Sequence, residues 1–254
     1  MTNTCRRALQ LLRFFAIAAL AAVALLPLAW LVFKVRPASF AQLFVDEPVG
    51  RWMTNSLLIA GTSTLLACIL SSVAGFAIWA YRFPGRRLVV GLLVITVLLP
   101  AHTLLPGLAA ATSAAGLLDS PIAVILPGSL TAFGVFLYAV SFQHLPTTTL
   151  DAARIDGANE LRVWWHLAMP MVRPATAAFL LLHFLGQWNA LLWPAAVLLD
   201  EPGHTLPIGL AAMAKQATYE ARPDLVAAAT LLAIIPPAVW FLLCEREFSE
   251  GLER

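Results

Sequence analysis

One stretch of the 254-residue sequence concentrates the groups able to do polar chemistry. It reads Asp151-Ala152-Ala153-Arg154-Ile155-Asp156-Gly157-Ala158-Asn159-Glu160-Leu161-Arg162-Val163-Trp164-Trp165-His166. Thr147 to Thr149, after Pro146, offer N-cap hydroxyls, Asp151 adds acidic charge to the first turn, and Gly157 interrupts the helix so started. Ala153, Gly157, Leu161 and Trp164 recur near the 3.6-residue period, whereas Asp151, Arg154, Asn159, Glu160 and Arg162 are polar. The expectation is a short amphipathic helix whose small-residue face docks closely on protein. A helix lying among lipid headgroups would instead carry more lysine and bulkier apolar residues.

Other reactive groups are thinly spread. Ser63, Ser72 or Ser129 pairs on paper with His102 or His183 as an intramembrane serine protease would require, but no local motif supports the pairing. His102, His144 and His183 lie in three different segments with no partner one helical turn away, which is not the clustering a metal needs. The only lysines, Lys34 and Lys215, do not follow glycine, and no Gly-x-Gly occurs, so neither a phosphate-cradling loop nor a dinucleotide fingerprint is present. Energy from a nucleotide would have to come through another chain, and no cofactor is expected.

The elements that must position these residues follow from composition. Hydrophobic residues make up 60% of the chain and charged residues 12%, with a mean hydropathy of +0.82. Soluble domains are about half apolar and about a quarter charged, so the bilayer is the main solvent. Six stretches contain no Asp, Glu, Lys or Arg: Phe14 to Phe33, Trp52 to Tyr81, Leu88 to Leu118, Ser120 to Leu150, Pro174 to Leu199 and Leu225 to Cys244. A bilayer core about 30 Å thick needs about 20 apolar residues per helix, and uniform apolar runs without period-2 alternation are helices rather than barrel strands. An all-α polytopic protein with six transmembrane helices is expected, in a single domain over 1–254. The spans fall at about 14–33, 55–80, 88–108, 121–143, 174–199 and 225–244. Pro100, Pro106 and Gly107 are expected to end the third helix.

The first run resembles a signal peptide but is too long for one and reads as an uncleaved helix. Arg6, Arg7, Arg13, Arg82, Arg86, Arg87, Arg154, Arg162, Arg173, Arg246 and Arg254 fall on one side of the membrane; Lys34, Arg36, Arg51, Lys215 and Arg222 fall on the other. By the positive-inside rule both termini and the segment 147–173 are cytoplasmic. The basic residues are scattered, so no nucleic-acid partner is implied. Cys5, Cys68 and Cys244 imply no disulfide. Small residues at Gly61 to Thr64 and at Ser71 to Gly75 suit close helix packing. None of the spans holds an ionisable chain of the kind proton-coupled transporters and voltage sensors use.

The charged segment then carries a family resemblance. Asp151-Ala152-Ala153, Gly157, Leu167 and the Met169-Pro170 pair stand at the spacing of the EAA motif of binding-protein-dependent ABC transporter permeases, with Asp151 for the usual glutamate and Met169 for the usual leucine. Asn55-Ser56-Leu57, Tyr81-Arg82-Phe83-Pro84-Gly85-Arg86, Gln187-Trp188-Asn189 and Phe248-Ser249-Glu250-Gly251-Leu252 are similar to the carbohydrate-importer branch, the maltose-type permeases. The resemblance implies the ABC type I importer permease fold in a bacterial inner membrane, with no catalytic site in this chain. It implies as partners a second permease chain, two ATP-binding-cassette ATPase subunits and a periplasmic solute-binding protein. It also implies that 151–166 seats in an ATPase cleft: Ala152, Ala153, Asp156, Gly157 and Ala158 at the contact, Asp151 making a charge-assisted or capping bond, and Pro170 fixing the turn into the next helix. Trp188 and Asn189 are candidates for the translocation pathway, since aromatic faces stack on sugar rings and amides bond hydroxyls. The loop 200–224 is a candidate face for the binding protein. The rival functions are a self-sufficient facilitator or channel, or a permease for a phosphodiester or polyamine.

Overall fold

The computed structural model describes residues 3–220 and 222–252, and the side chains of 12–100, 103–216 and 222–244. Arg254, and the side chains of Cys5, Arg6, Arg7, His102, Glu220, Arg246 and the Phe248 to Leu252 motif, therefore lie outside what is described. Every regular element among the described residues is helical. The chain divides into two compact units, one of residues 1–49 and 210–234, the other of 50–209 and 235–254.

In the first unit, α1 (Asn3–Lys34) carries a 23-residue, strongly apolar stretch, Leu12–Lys34, of which no residue is buried. Such a helix is stable only where lipid or another chain covers it. A second, short helix, α2 (Pro37–Asp46), is started by Pro37 in the first turn, where the missing N–H costs nothing. Ser39 on α2 donates a hydrogen bond to Asp224 at 2.8 Å, and Arg222 forms an ion pair with Asp46.

The second unit contains most of the apolar length. α3 (Val49–Ala80) runs unbroken for 32 residues. The third expected span is not one helix: α4 (Arg86–Leu98) has 13 residues, and a short turn at Ala101–Leu104 separates it from α5 (Leu105–Ala114). Pro100 drives Leu99 to an extended conformation (ψ 129°) and so ends α4, while Pro106 opens α5 rather than closing the preceding helix. At about 1.5 Å per residue neither piece crosses about 30 Å by itself. The fourth stretch holds α6 (Pro121–Gly128) and α7 (Ala132–Gln143), which together give a 23-residue apolar segment. α8 (Thr147–Ile155), α9 (Glu160–Val163), a π-helical turn at Trp164–Ala168 and α10 (Met169–Met171) lead into α11 (Arg173–Trp188). Pro174 sits in the first turn of α11, and the chain bends there by 84°. The expected fifth span thus stops at Trp188 and resumes only as the short α12 (Leu192–Val197). α13 (Leu206–Glu220) passes into the first unit at Leu210, and α14 (Pro223–Leu252) returns to the second after Ile234. Among the described residues four stretches are long and apolar enough to cross a membrane, and a fifth if the bent pair ending at Trp188 counts as one.

Close helix approach in this unit rests on particular glycines. A Cβ on Gly75 would lie 2.7 Å from the Tyr138 Cβ and 2.9 Å from the Val135 carbonyl oxygen, and one on Gly134 would lie 2.5 Å from Ser71 Oγ. These contacts lock α3 to α7. Gly61, in the other expected small-residue patch, faces open space. Beside the α3–α7 contact, Tyr138, Phe142, Phe76, Phe179 and Ala67 form a buried core.

Candidate functional site

The segment after α7 is anchored on that core by Leu150, Val163, Trp164 and Ala168, all buried within it. The anchoring residues alternate with exposed ones. Leu150 and Ala153 turn inward on α8, and Asp151, Ala152 and Ile155 turn outward. No side-chain hydroxyl caps α8: its N-cap position is Pro146, and Thr147 to Thr149 lie within the helix.

The segment 151–166 is not one helix: its break falls at Gly157, the residue expected to interrupt it. α8 stops at Ile155, and Gly157 adopts the left-handed conformation with φ +85°. The Gly157 N–H donates to the Arg154 carbonyl at 3.0 Å, and the Ala158 N–H donates to the Ala153 carbonyl at 2.9 Å. This pair of bonds is a Schellman stop, whose left-handed position favours glycine because other residues clash with their own carbonyls there. Ala153 and Ala158, the two residues that an apolar contact often joins in this motif, both pack on the core. The periodicity across Ala153, Gly157, Leu161 and Trp164 is therefore not a single helical face: Trp164 is buried, whereas Leu161 is 68% exposed. Asn159 starts the next helix by accepting from the Arg162 N–H at 2.9 Å.

Polar groups tie the two halves of this knuckle together. Arg154 donates twice to Glu160, at 2.9 Å and 3.1 Å, and once to Asp151 at 2.9 Å. The fork-on-carboxylate geometry fixes direction as well as distance. The Tyr81 hydroxyl, just past the end of α3, also lies near the Glu160 carboxylate. The Arg154 bond holds the Glu160 carboxyl below its ordinary range. Partial burial, then the nearby Glu160 carboxylate, push Tyr81 up to about 12. Asp151 thus serves the chain's own Arg154, and no backbone N–H is capped by it among the described contacts.

The outward surface of the knuckle includes Asp151, Ala152, Asp156, Gly157 and two apolar side chains, Ile155 at 86% and Leu161 at 68% exposure. Leu161 was expected on the docking face, whereas Ile155 was not singled out from sequence, although an isoleucine beside two charges on a short polar helix is a visible signal. A Cβ on Gly157 would meet nothing in this chain. Pro170 is exposed and lines a cavity of about 510 Å3 with Trp165, Met169, Arg173 and Thr176.

The two pathway candidates separate. Trp188 is 3% exposed and stacks on Phe184, which stacks on Trp240. Asn189 is exposed and donates to the Leu185 carbonyl at 2.9 Å, ending α11. Their neighbour Gln187 lies against Gly128 at the break between α6 and α7. His183 faces Thr64, 3.2 Å from its hydroxyl, whereas Ser72 and Ser129 donate to backbone carbonyls of their own helices. Among the described residues no serine–histidine pair and no cluster of three metal-ligating side chains is formed. Asn55 donates to the carbonyls of Pro202 and His204, both at 2.9 Å, and Ser56 accepts from the Leu206 N–H at 2.8 Å. Asn55-Ser56 is thus a clamp on the start of the 200–224 region, which is partly helical rather than a bare connection.

Residues 67–243 match the family described as the binding-protein-dependent transport system inner membrane component. The chain is 32% identical over 202 residues to the arabinooligosaccharide transport permease AraQ of Bacillus subtilis, covering 80% of this chain and 71% of that protein. It is 33% identical to the sn-glycerol-3-phosphate permease UgpE of Yersinia pestis (82% of this chain, 74% of that one) and 32% identical to the lactose permease LacG of Rhizobium radiobacter (84% and 76%). Its fold matches a chain in the crystal structure of a bacterial ABC transporter involved in the import of the acidic polysaccharide alginate. There the TM-score is 0.84 at 19% identity, over 98% of this chain and 99% of that one. A family match over most of the chain, with relatives at least 32% identical of which it covers 71% or more, identifies the protein as a multi-pass inner-membrane permease component of the binding-protein-dependent ABC transport family.

Proposed function

We propose that this chain is one of two permease subunits of an ATP-binding-cassette importer carrying a carbohydrate across a bacterial inner membrane. The observation that carries the reading is the 147–171 knuckle: an internally bonded element that presents Ala152, Ile155, Asp156 and Leu161 outward without a partner among the described residues. The knuckle seats in the ATPase subunit, and closure of two such subunits on ATP moves the helices behind it as rigid bodies. Its anchorage on the α3–α7 core gives that movement a stiff path. The chain has no catalytic site, crosses the membrane six times, and keeps both termini in the cytoplasm. In that topology α4 and α5 form the third crossing together, bent at Pro100, and α11 with α12 forms the fifth. The second permease chain covers apolar surface such as that of α1, and the 200–224 region clamped by Asn55 faces the solute-binding protein.

The carbohydrate assignment is supported by the names of the arabinooligosaccharide and lactose relatives. The glycerol phosphate relative supports a second reading, a phosphorylated polyol. The reconstituted complex with its binding protein decides between them. Neutral oligosaccharides should stimulate ATP hydrolysis in proteoliposomes; stimulation by glycerol phosphate alone gives the second reading, and solute uptake by this chain without ATP or partners would overturn both.

A further inference from the structure

The loop joining α3 to α4 carries a charge pattern that nothing within the described chain relieves. Arg86 and Arg87 occupy the first turn of α4, the end of a helix that favours anions, and no acidic residue shares that turn. The N-cap residue is Gly85, at φ +85°, which brings no side chain to the open N–H groups. Arg82 completes the cluster. With Phe83, Gly85 and Val90 the three arginines line a cavity of about 600 Å3, in the size range of small-molecule sites, about 300–1,000 Å3. Among the described residues none of the three arginines has an ion-pair partner. The acids of the neighbouring knuckle, Glu160 and Asp151, are committed to Arg154.

Position decides which anion fits. The cavity lies between the end of the 32-residue apolar α3 and the start of the apolar α4, at the depth of the lipid headgroups if α3 spans the bilayer. From it, Leu88, Leu92 and Ile95 form one stripe along α4, 68%, 55% and 54% exposed, and no residue of α4 is buried. We infer that the Arg82 to Arg87 elbow binds the phosphate headgroup of an anionic phospholipid whose acyl chains lie along Leu88, Leu92 and Ile95. This goes beyond the permease reading and depends only on the chain spanning a membrane. Tyr81, adjacent to Arg82, lies near Glu160 of the knuckle, so the lipid sits beside the segment proposed to contact the ATPase.

The test is native mass spectrometry of the purified protein in neutral detergent, titrated with phosphatidylglycerol, phosphatidylcholine or inorganic phosphate. Phosphatidylglycerol should be retained at least about tenfold more tightly than phosphatidylcholine, because each arginine near a headgroup contributes about fivefold. The triple variant Arg82→Gln, Arg86→Gln, Arg87→Gln should lose that preference, while the triple change to lysine keeps it and reports that the fold tolerates substitution. If the glutamine triple does not fold, each single change should weaken retention about fivefold. Equal retention of the two lipids, an unchanged preference in the glutamine variants, or displacement by inorganic phosphate at millimolar concentration would each overturn the inference. The last result would make this a soluble-anion site.

Discussion

Gly157 offers the most searching perturbation, because two physical roles for it predict different outcomes. At φ +85°, with nothing within 4 Å of an added Cβ, replacement by alanine causes no clash inside this chain and acts only through backbone strain. A left-handed L-residue costs roughly 1–2 kcal/mol, about a 5- to 30-fold shift in a local equilibrium. Asparagine tolerates that conformation better and should cost less. Tryptophan should match alanine in the isolated chain, since its bulk projects into open space, yet it should also block assembly if an ATPase packs there. The assay is hydrogen exchange followed by mass spectrometry on a peptide containing Ala158, whose N–H closes the stop onto Ala153. Exchange should accelerate about 5- to 30-fold in Gly157→Ala and less in Gly157→Asn. Unchanged exchange in the alanine variant would refute the Schellman account, and assembly surviving in Gly157→Trp would refute close approach of a partner.

Other outcomes follow from particular contacts. Gly75→Ala and Gly134→Ala should each lower stability by roughly 1–3 kcal/mol through overpacking at the α3–α7 contact, whereas Gly61→Ala should be neutral or mildly stabilising; thermal unfolding in detergent compares them. A double-mutant cycle on Arg154→Gln and Glu160→Gln should show coupling of about 0.5–1 kcal/mol, the range for a partly exposed pair. Because Glu160 has a lowered pKa in the fold, that contribution is present above the ordinary glutamate value of 4.5 and is lost as pH falls below it. Tyr81 is shifted the other way, so its contribution holds below pH 10 and fades as pH rises through about 12. A difference absorbance titration against Tyr81→Phe should show that midpoint, and Glu160→Gln should lower it. Trp188→Ala should cost about 3–5 kcal/mol as a core truncation, while Asn189→Ala should leave folding intact.

The sequence carried some of this architecture and withheld the rest for identifiable reasons. Long charge-free runs mark α1, α3 and α14 because a lipid-covered helix needs no polar face. The same uniformity hides breaks: nothing in the apolarity of residues 88–118 distinguishes a continuous helix from two pieces, and only the proline placement at Pro100 and Pro106 does, through conformational limits on Leu99 and on the start of α5. At the knuckle, residue types were legible and geometry was not. Glycine at position 157 fits a close approach and a left-handed stop equally well, and the Arg154–Glu160 pairing joins residues whose contact exists only once that stop folds α9 back. Asp151 resembled a capping residue by its place after Pro146, but the guanidinium of Arg154, one turn on, takes its carboxylate. Trp188 and Asn189, adjacent in sequence, part because α11 ends between them.

The claim on which the account turns is that the knuckle's outward face contacts an ATPase. A photo-crosslinking residue placed at the exposed Ala152, with another at Leu92 on α4 as control, tests it in native membranes before purification. The account predicts a crosslinked adduct containing a P-loop ATPase at position 152 and none at 92, with the adduct yield changing when ATP is added. An assembled complex that gives no ATPase adduct at 152 would contradict it.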